Sequence, residues 1–328
     1  MSAESFKVFI NRFGFLKRRI KNTSLYFSFR NFLYRKEQRK EKRIESKYGL
    51  EGMIKYTKKW YKTATGYELD LDNPKTFTEK QQWLKFYDQS PLKVLCSDKY
   101  AVREYISKKV GEKYLVPLIS IDAKDRFYDA NEIDFSKLPN SFVLSCNHGS
   151  SMTIVVEDKS KLRKRNIKSI KKRLNQWLKI DVSYVNAFDF TYKGIKPCII
   201  ITEYLTNGNN DLKDFKLFCF NGEPKYLWID SGRFGNDHRR TVYDSHFRKM
   251  PFRYGVFKEA DNPKPVNFEK MFELSEILSK DFKLVRVDFY EVNGILKIGE
   301  LTFNSGAGRD LIYPIEYNEK LGEELSLK

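Results

Sequence analysis

The chain has 328 residues, of which 41% are hydrophobic and 15% aromatic, so it can bury a sizeable core in one large or two modest domains. It carries 61 Lys/Arg and 43 Asp/Glu, a net charge of +18. Its four cysteines lie far apart without paired spacing, which argues against a disulfide framework or a zinc site and predicts reduced, buried thiols in a cytoplasmic protein.

The first 62 residues are the most basic part of the chain, with eighteen Lys/Arg, five Asp/Glu and a net charge of +13. Apolar residues recur there at helical spacing, namely Phe6, Phe9, Ile10, Phe13, Leu16 and Ile20. More aromatic residues precede a charged run over 35–47. The sequence therefore predicts a basic amphipathic helical extension over residues 1–70.

This extension suggests a membrane surface as a partner. A basic helix with an aromatic face is typical of segments that lie on the anionic inner leaflet. No apolar run is long enough to span a bilayer. We predict a cytoplasmic protein that the extension holds peripherally on the inner face of the plasma membrane, through anionic lipid; an apolar stripe packed on the rest of the chain is the alternative. No nucleic-acid-binding motif accompanies the charge, so no nucleic acid is expected.

Capping signals predict two helices after the extension. A turn is predicted around Asn73-Pro74, after which Thr76 or Thr78 caps the next helix. Ser97 is predicted to cap a second helix, and Gly111 to end it.

A small polar loop between two predicted strands, 142–146 and 152–156, suits phosphate binding. Small residues let backbone N–H groups and hydroxyls approach a triphosphate closely. The candidate ligands are Gly149, Ser150 and Ser151, with His148 as a further candidate that is alternatively structural. The basic stretch 158–179 that follows predicts a solvated helix lying on a sheet, with a second membrane contact as the alternative.

The next segments place charge beside buried strands. Residues 195–203 predict a buried strand that ends at Glu203. The following strand alternates, so Asp214 and Lys216 share one face, where they pair with each other or meet a ligand. Arginine forks bind carboxylates or phosphates, so the candidates for an acidic substrate are Arg233, Arg239 and Arg240, with solvated loop charges as the alternative.

The densest chemistry lies in a predicted hairpin over 284–302 that turns at Asn293-Gly294. Its alternation brings Arg286, Asp288 and Glu300 to one region. Two carboxylates followed by an Asn-Ser-Gly turn suit Mg2+, which takes few protein ligands and keeps phosphate oxygens for the rest. The candidate metal ligands are Asp288, Glu300 and Asn304; carboxylates on a solvent face are the alternative.

Arg286-x-Asp288-Phe and the segment from Glu300 to Gly306 resemble the closing motif of the ATP-grasp fold. Together with 73–80, 83–88, 98–105, 142–149 and 214–224 they resemble the TupA-like branch, named for teichuronopeptide biosynthesis. The resemblance runs from about residue 73 to the C-terminus. It implies an α+β ATP-grasp fold, in which two α+β subdomains over 71–200 and 201–328 grip ATP.

The resemblance also implies ATP and Mg2+ as cofactors and gives roles to single residues. The nucleotide contacts that it implies come from Lys99, Asp214 and Lys216, and from a hinge at Glu203, Tyr204 and Leu205 that meets adenine. Arg286 and Lys216 are the implied catalytic residues, with Arg286 stabilising the charge that develops on an acyl phosphate.

Three positions depart from the family's usual pattern. Ser145 stands where a phosphate-binding Lys is usual, Thr302 where a metal-binding Asn is usual, and Ser305 where Pro is usual. The missing lysine is expected to weaken nucleotide binding unless another lysine substitutes.

The implied reaction is ATP-dependent ligation of a carboxylate to an amine in bacterial surface-polysaccharide biosynthesis. The expected partners are a uronic-acid-containing glycan or its precursor, and an amino acid or another amine. One alternative is a glycosyltransferase, supported locally by the triplet Asp70-Leu-Asp72. The other is a membrane-associated scaffold with a degenerate ATP site, supported by the three departures.

Overall fold

The computed structural model describes residues 24–208, 212–232 and 237–328. Its α-helices are α1 (Ser24–Thr65), α2 (Phe77–Tyr87), α3 (Pro91–Ser97), α4 (Val102–Val110), α5 (Lys164–Trp177), α6 (Phe268–Ser279) and α7 (Glu316–Glu324). Its strands are β1 (Arg126–Phe127), β2 (Phe142–Cys146), β3 (Thr153–Val156), β4 (Ile199–Glu203), β5 (Asp214–Phe220), β6 (Glu223–Ser231), β7 (Arg239–Tyr243), β8 (Arg253–Tyr254), β9 (Leu284–Val292), β10 (Ile295–Thr302) and β11 (Ile312–Tyr313). Helices and sheets are mixed as the predicted α+β class requires.

Helix α1 shows that the basic N-terminal segment is helical, although the apolar stripe predicted over residues 6–20 lies outside the described residues. The helix bends at Gly49, whose φ of 56° suits a residue without a Cβ. Three carboxylates at helical spacing, Glu37, Glu41 and Glu45, dock it onto the segment 184–193. No helix in the described ranges combines the length and the apolarity of a membrane span.

The helices after α1 follow the capping signals in part. Thr76 caps α2 through a capping box, in which its Oγ1 accepts the N–H of Glu79 and the Glu79 carboxylate accepts its N–H. The prediction that Ser97 caps the second helix is wrong. Ser90, followed by a proline, starts the short helix α3, and Ser97 ends it. The stop at Gly111 after α4 is confirmed, with φ of 104°.

The first sheet is antiparallel with strand order β1-β4-β2-β3. Strands β2 and β3 confirm the predicted strand-loop-strand, and β4 confirms the buried strand that ends at Glu203. Helix α5 buries Ile170, Leu174 and Trp177 in the core of this sheet, and its Lys and Arg residues occupy its other sides.

The second sheet is antiparallel with order β10-β9-β5-β6-β7. The β9-β10 turn confirms the predicted hairpin, because Asn293 and Gly294 have the positive φ values, 50° and 76°, of a type I′ turn. A register shift between Ile298 and Glu300 makes a bulge that places Glu300 opposite Asp288. The odd-numbered residues of β5 and β9 pack against α6, so the even-numbered residues occupy the other face.

The strands of the first sheet lie within 126–203 and those of the second within 214–302, while β8 and β11 pair as a third, two-stranded sheet. The domain limits 1–70, 71–200 and 201–328 stay a prediction.

Candidate functional site

Charged side chains form a row across the face of the second sheet that is turned away from α6. The row consists of Glu300 on β10, Arg286 and Asp288 on β9, Asp214 and Lys216 on β5, Asp230 on β6, and Arg240 on β7. Residues that are opposite each other on neighbouring strands share a face of the sheet. Each member of the row is either opposite a member on the neighbouring strand or two residues away from a member on its own strand. With Lys99, which reaches Glu300 from beside α3, the row holds four carboxylates and four cations.

Arg286 is fixed by four hydrogen bonds. Its Nε and Nη2 donate to the two oxygens of Asp288 at 2.5 and 2.6 Å. Its Nη1 donates to Ser305 Oγ at 2.8 Å, and Nη2 also donates to Thr302 Oγ1 at 3.2 Å. Thr302 and Ser305 are two of the three positions that depart from the family's pattern. Both departures therefore supply hydroxyl acceptors to one guanidinium.

The Arg286–Asp288 pair is ionised. Burial alone would lower the pKa of the Arg286 guanidinium, but the adjoining Asp288 carboxylate raises it above its ordinary value. Burial raises the pKa of Asp288, and this shift opposes the one on its partner. Both oxygens of Asp288 accept hydrogen bonds from the arginine fork, so neither carries a proton.

Lys216 lies in the middle of the row and is 3% exposed. Its Nζ is 2.8 Å from Asp214 Oδ2 and 3.2 Å from Asp230 Oδ2, but neither contact has hydrogen-bond geometry. Arg240 donates to both oxygens of Asp230, at 2.6 and 2.9 Å. Although burial alone would raise the pKa of Asp230, the Arg240 hydrogen bonds hold it below its ordinary value. The Lys216 ammonium is thus a buried donor without a hydrogen-bond acceptor among the described groups.

Lys99 connects the polar loop between β2 and β3 to the row. Its Nζ donates to Gly149 O at 3.2 Å and lies 2.8 Å from Glu300 Oε2. Its backbone N–H also donates to Asn147 O in the same loop. The Lys99 side chain is 17% exposed and that of Glu300 33%, so the pair lies where solvent still reaches. The lysine for which the resemblance implies a phosphate role therefore contacts both the loop and a candidate metal ligand.

The loop itself keeps two of its predicted ligands at the surface. Ser150 and Ser151 are exposed, and Ser151 has a φ of 59°. Ser145 Oγ is 3.0 Å from Thr153 Oγ1 on the neighbouring strand. A pair of hydroxyls thus occupies the strand position where the family usually has a lysine.

The nucleotide contact predicted for His148 stays a prediction, and the described contacts of the ring are with the protein itself. The residue is 3% exposed, and its Nε2 lies 3.3 Å from Trp177 O and 3.1 Å from Ile180 O. Its Nδ1 is 3.3 Å from Asn147 Oδ1. Burial lowers the pKa of His148 below its ordinary value. This ring holds the end of α5 against the loop.

The predicted adenine hinge lies at the end of β4. Glu203 is exposed, whereas Tyr204 and Leu205 are half-buried. The Glu203 N–H donates to Pro117 O, which ties the hinge to the segment before the first sheet. Its contact with adenine stays a prediction.

The arginine cluster divides into residues with different surroundings. Arg233 lies outside the described residues, while Arg239 and Arg240 begin strand β7 and do not belong to a loop. Arg239 pairs with Asp237 and keeps 41% of its side chain exposed. The substrate contact predicted for Arg240 stays a prediction; its Nε and Nη2 donate to the buried carboxylate of Asp230.

Asn304, a predicted metal ligand in the turn after β10, contacts a further buried carboxylate, that of Asp189. Its Nδ2 donates to Asp189 Oδ1 at 2.5 Å, and Asp189 also accepts the Thr191 hydroxyl at 2.7 Å. Burial raises the pKa of Asp189 above its ordinary value. Asp189 follows three residues, 186–188, that all have left-handed backbone with φ between 56° and 64°.

Carboxylates of α1 fill this left-handed turn. The N–H groups of Ala187 and Phe188 donate to the two oxygens of Glu41 at 2.9 and 3.0 Å, and the preceding N–H donates to Glu37 at 3.0 Å. Consecutive N–H groups of this kind form an anion-binding nest. Lys85 of α2 donates to the carbonyl of residue 186 at 2.9 Å. Burial raises the pKa of Glu41 and lowers that of Lys85.

Sequence reasoning missed Asp230 and Asp189. A signal exists for Asp230, because a single acid at the end of the apolar run 227–229 is unusual unless it is paired. Asp189 offers no such signal, since its partner Asn304 lies 115 residues away.

The donor set fits a magnesium-bound polyphosphate. Glu300 and Asp288 are cross-strand partners, and Mg2+ typically takes one or two carboxylates together with phosphate oxygens. No group of three His, Cys, Asp or Glu residues able to hold a metal occurs in the described part of the chain. The Lys216 ammonium supplies donors for an anionic oxygen.

Comparison with known proteins gives the following similarities. A sequence profile described as TupA-like ATPgrasp matches residues 79–326. The D-alanine–D-alanine ligase of Bacillus anthracis complexed with ATP is 14% identical over 70% of this chain and 62% of that chain, with a TM-score of 0.37. The L-amino acid ligase of Bacillus licheniformis is 11% identical over 70% of this chain and 49% of that chain, with a TM-score of 0.43. The D-alanine–D-alanine ligase of Helicobacter pylori is 15% identical over 76% of this chain and 69% of that chain, with a TM-score of 0.38. The chain thus spans less than two thirds of the first two, and no curated protein matches it.

Proposed function

The chain belongs to the TupA-like ATP-grasp family, as its sequence predicts, and from this premise we propose that it is a ligase that uses ATP to join a carboxylate to an amine. Membership also confirms the predicted fold. The observation that carries the proposal is the row of paired charges, in which the buried Lys216 ammonium lies 2.8 Å from Asp214 and 3.2 Å from Asp230 without hydrogen-bond geometry to either. A phosphate oxygen is the acceptor that suits such a donor.

In this proposal ATP and Mg2+ bind between the β2-β3 loop and the second sheet. Bound Mg2+ neutralises phosphate charge and aligns the transferred phosphoryl group. Asp288 and Glu300 are its protein ligands, with Asn304 beside them. Lys99 contacts phosphate oxygens from the loop side and Lys216 contacts them from the sheet.

Arg286 is the residue that we assign to the acyl-transfer step. The substrate carboxylate attacks the γ-phosphorus of ATP, and ADP leaves as the acyl phosphate forms. The amine then attacks the acyl carbon, the bond to phosphate breaks, and the amine gives up a proton to solvent as the amide forms. Four of the five Arg286 N–H donors are used by Asp288, Thr302 and Ser305, which fixes the guanidinium and leaves one Nη1–H for a ligand. A donor held in this way stabilises the oxyanion without reorganising.

We further propose a bacterial surface polysaccharide as the setting of the reaction. The carboxylate is that of a uronic acid in a glycan or its precursor, and the amine is an amino acid or a related compound. The name of the family supports this choice. Arg239, with 41% of its side chain exposed, is our candidate for the contact with the acidic substrate.

One specific observation favours a second candidate, a scaffold with a degenerate ATP site. The Ser145–Thr153 hydroxyl pair places no cation on the strand that usually carries the phosphate-binding lysine. The glycosyltransferase alternative has lost its local support, because Asp70 Oδ1 accepts the N–H groups of Asp72 and Asn73 and the triplet only closes a turn.

The test is Mg2+-dependent ATP binding measured by calorimetry on the wild type, Glu300→Gln and Ser145→Lys. Glu276→Gln is the matched control, since Glu276 is an exposed acid on α6, on the opposite side of the sheet. We expect binding that Glu300→Gln weakens, that Glu276→Gln leaves unchanged and that Ser145→Lys tightens. Absence of binding in the wild type would favour the scaffold. Binding unaffected by Glu300→Gln would contradict the assigned metal site.

A further inference from the structure

Helix α1 separates its charges by sign. At 3.6 residues per turn, Glu37, Glu41 and Glu45 share one side, and this side docks on residues 184–193. The opposite side carries Arg35, Lys36, Arg39, Lys40, Arg43 and Lys47, all exposed, which we name the cationic face. No other carboxylate occurs between residues 32 and 48, so the outer side of this stretch bears positive charge alone.

The inward carboxylates fix this orientation. Glu41 is fully buried and accepts two backbone N–H groups, while Glu37 accepts a third. Glu45 accepts the hydroxyl of Tyr184 and pairs with Lys193 at 2.9 Å. Rotation of α1 about its axis would break all of these contacts. The cationic face is therefore held outward by the fold.

A second basic helix lies next to α1. Residues 159–179 contain ten Lys/Arg and no Asp/Glu. The exposed cations on the outer side of α5 include Arg165, Lys168 and Lys172. Arg173 stacks over the Phe27 ring of α1 at 3.4 Å, and Asn31 of α1 donates to Gln176 at 2.9 Å. The two basic helices are thus packed against each other.

We propose that the cationic face of α1 and the outer side of α5 form one surface that binds a membrane containing anionic lipids. This surface lies partly in the extension that the sequence predicts on the membrane; what is new is which side of α1 faces the lipid and the addition of α5, which the sequence predicts to be solvated. None of the ion pairs among the described residues involves Arg35, Arg39 or Arg43. Their charge is therefore available to an external anionic surface.

An exposed aromatic residue favours lipid over nucleic acid as the anionic partner. Phe32 is 61% exposed and lies on the same side of α1 as Arg39 and Arg43. An apolar side chain among cations inserts into the boundary between headgroups and acyl chains, which is the pattern of interfacial helices. From residue 32 to 47 the helix extends roughly 22 Å at a rise of about 1.5 Å per residue, so it reaches several headgroups at once.

The expected effect follows from the number of cations. Each Lys or Arg near an anionic surface raises partitioning about fivefold, so reversing three of them should weaken binding at least about a hundredfold. The proposal concerns docking and does not depend on the ligase activity.

The experiment is co-sedimentation of the full-length protein with vesicles of phosphatidylcholine alone or mixed with phosphatidylglycerol, at low and high salt. One triple variant alters the cationic face (Arg35→Glu, Arg39→Glu, Arg43→Glu) and a second alters α5 (Arg165→Glu, Lys168→Glu, Lys172→Glu). The matched control makes the same charge change at exposed lysines elsewhere (Lys258→Glu, Lys280→Glu, Lys320→Glu). Circular dichroism confirms that each variant is folded, and Phe32→Ser tests the apolar contact.

We expect the wild type and the control to bind the mixed vesicles in a salt-sensitive way, and both helix variants and Phe32→Ser to bind them more weakly. Equal binding by the helix variants and the control would overturn the proposal, as would no binding of the wild type to the mixed vesicles. A wild type that binds duplex DNA more tightly than vesicles, with Phe32→Ser unaffected, would identify a nucleic-acid surface instead.

Discussion

Replacing Lys216 by Met removes the central cation of the charged row and leaves its two carboxylate neighbours in place. Removal of one partner from a buried ion pair costs about 3–5 kcal/mol, because the remaining charge is buried without compensation. Asp230 keeps both hydrogen bonds from Arg240, so the lower end, about 3 kcal/mol, applies here. At about 2 °C per kcal/mol for a chain of this size, the midpoint of thermal unfolding should fall by roughly 6 °C.

The sign of the pH dependence makes this prediction specific. In the wild type the pKa of Asp230 is held below its ordinary value, so its contribution to stability is complete above the ordinary pKa and is lost only on acidification. Without Lys216 the pKa of Asp230 should rise, because the ammonium helps to hold it down, and protonation then relieves part of the penalty. The difference in unfolding free energy between wild type and Lys216→Met should therefore be largest near neutral pH and shrink towards pH 4.

Urea denaturation at several pH values measures this difference. The double variant Lys216→Met/Asp214→Asn is the control, because it removes a cation and a carboxylate together and should recover most of the loss. A loss below about 1 kcal/mol that does not change with pH would refute the reasoning, since the ammonium would then not compensate the buried carboxylates.

Three further variants test other parts of the structure. Lys99→Met should weaken Mg2+-dependent ATP binding about tenfold or more, because a charge-assisted contact contributes about 1.5–3 kcal/mol. The control Lys108→Met, at an exposed ion pair, should leave the affinity measured by calorimetry unchanged. Equal effects of the two variants would contradict the phosphate role of Lys99. Burial raises the pKa of Glu41 from 4.5 to about 7, so the contribution of Glu41 to stability should fall as pH rises from 4.5 towards 7. In urea denaturation the stability of Glu41→Gln relative to the wild type should therefore increase over that range, and a difference that does not change with pH would count against the shift. Thr302→Val removes a hydrogen-bond acceptor of Arg286 and should lower the free energy of unfolding by about 1 kcal/mol in urea denaturation. Thr302→Ser keeps the hydroxyl and should retain the wild-type stability. Equal stability of the two variants would exclude the hydroxyl contact.

The sequence predicts local features of this fold well and long-range ones poorly. The hairpin that turns at Asn293 was predictable because the turn residues and the alternation lie within one short segment. Ser97 misled because Ser90, followed by a proline, makes an earlier and stronger helix start. The burial of His148 and the pairing of Arg240 with Asp230 depend on neighbours that only folding brings together.

The site shows the same limit. The sequence correctly places Arg286, Asp288 and Glu300 in one region, since they occupy two strands joined by a tight turn. It gives no indication that Glu41 reaches a loop more than 140 residues away, because a helical carboxylate is normally solvated. Contacts of this kind are set by tertiary packing and carry no periodic signal.

The charged row argues against a site in decay. Buried ion pairs are weak contributors to stability, and apolar residues of similar size usually serve as well or better. A sequence free of functional constraint has no reason to keep four carboxylates and four cations on one face of a sheet. Thr302 and Ser305 strengthen the argument, since the hydroxyl oxygens at both departures from the family's pattern accept hydrogen bonds from the same guanidinium, Arg286. Independent decay would not produce two acceptors for one donor, whereas a site that relies on a fixed arginine requires both.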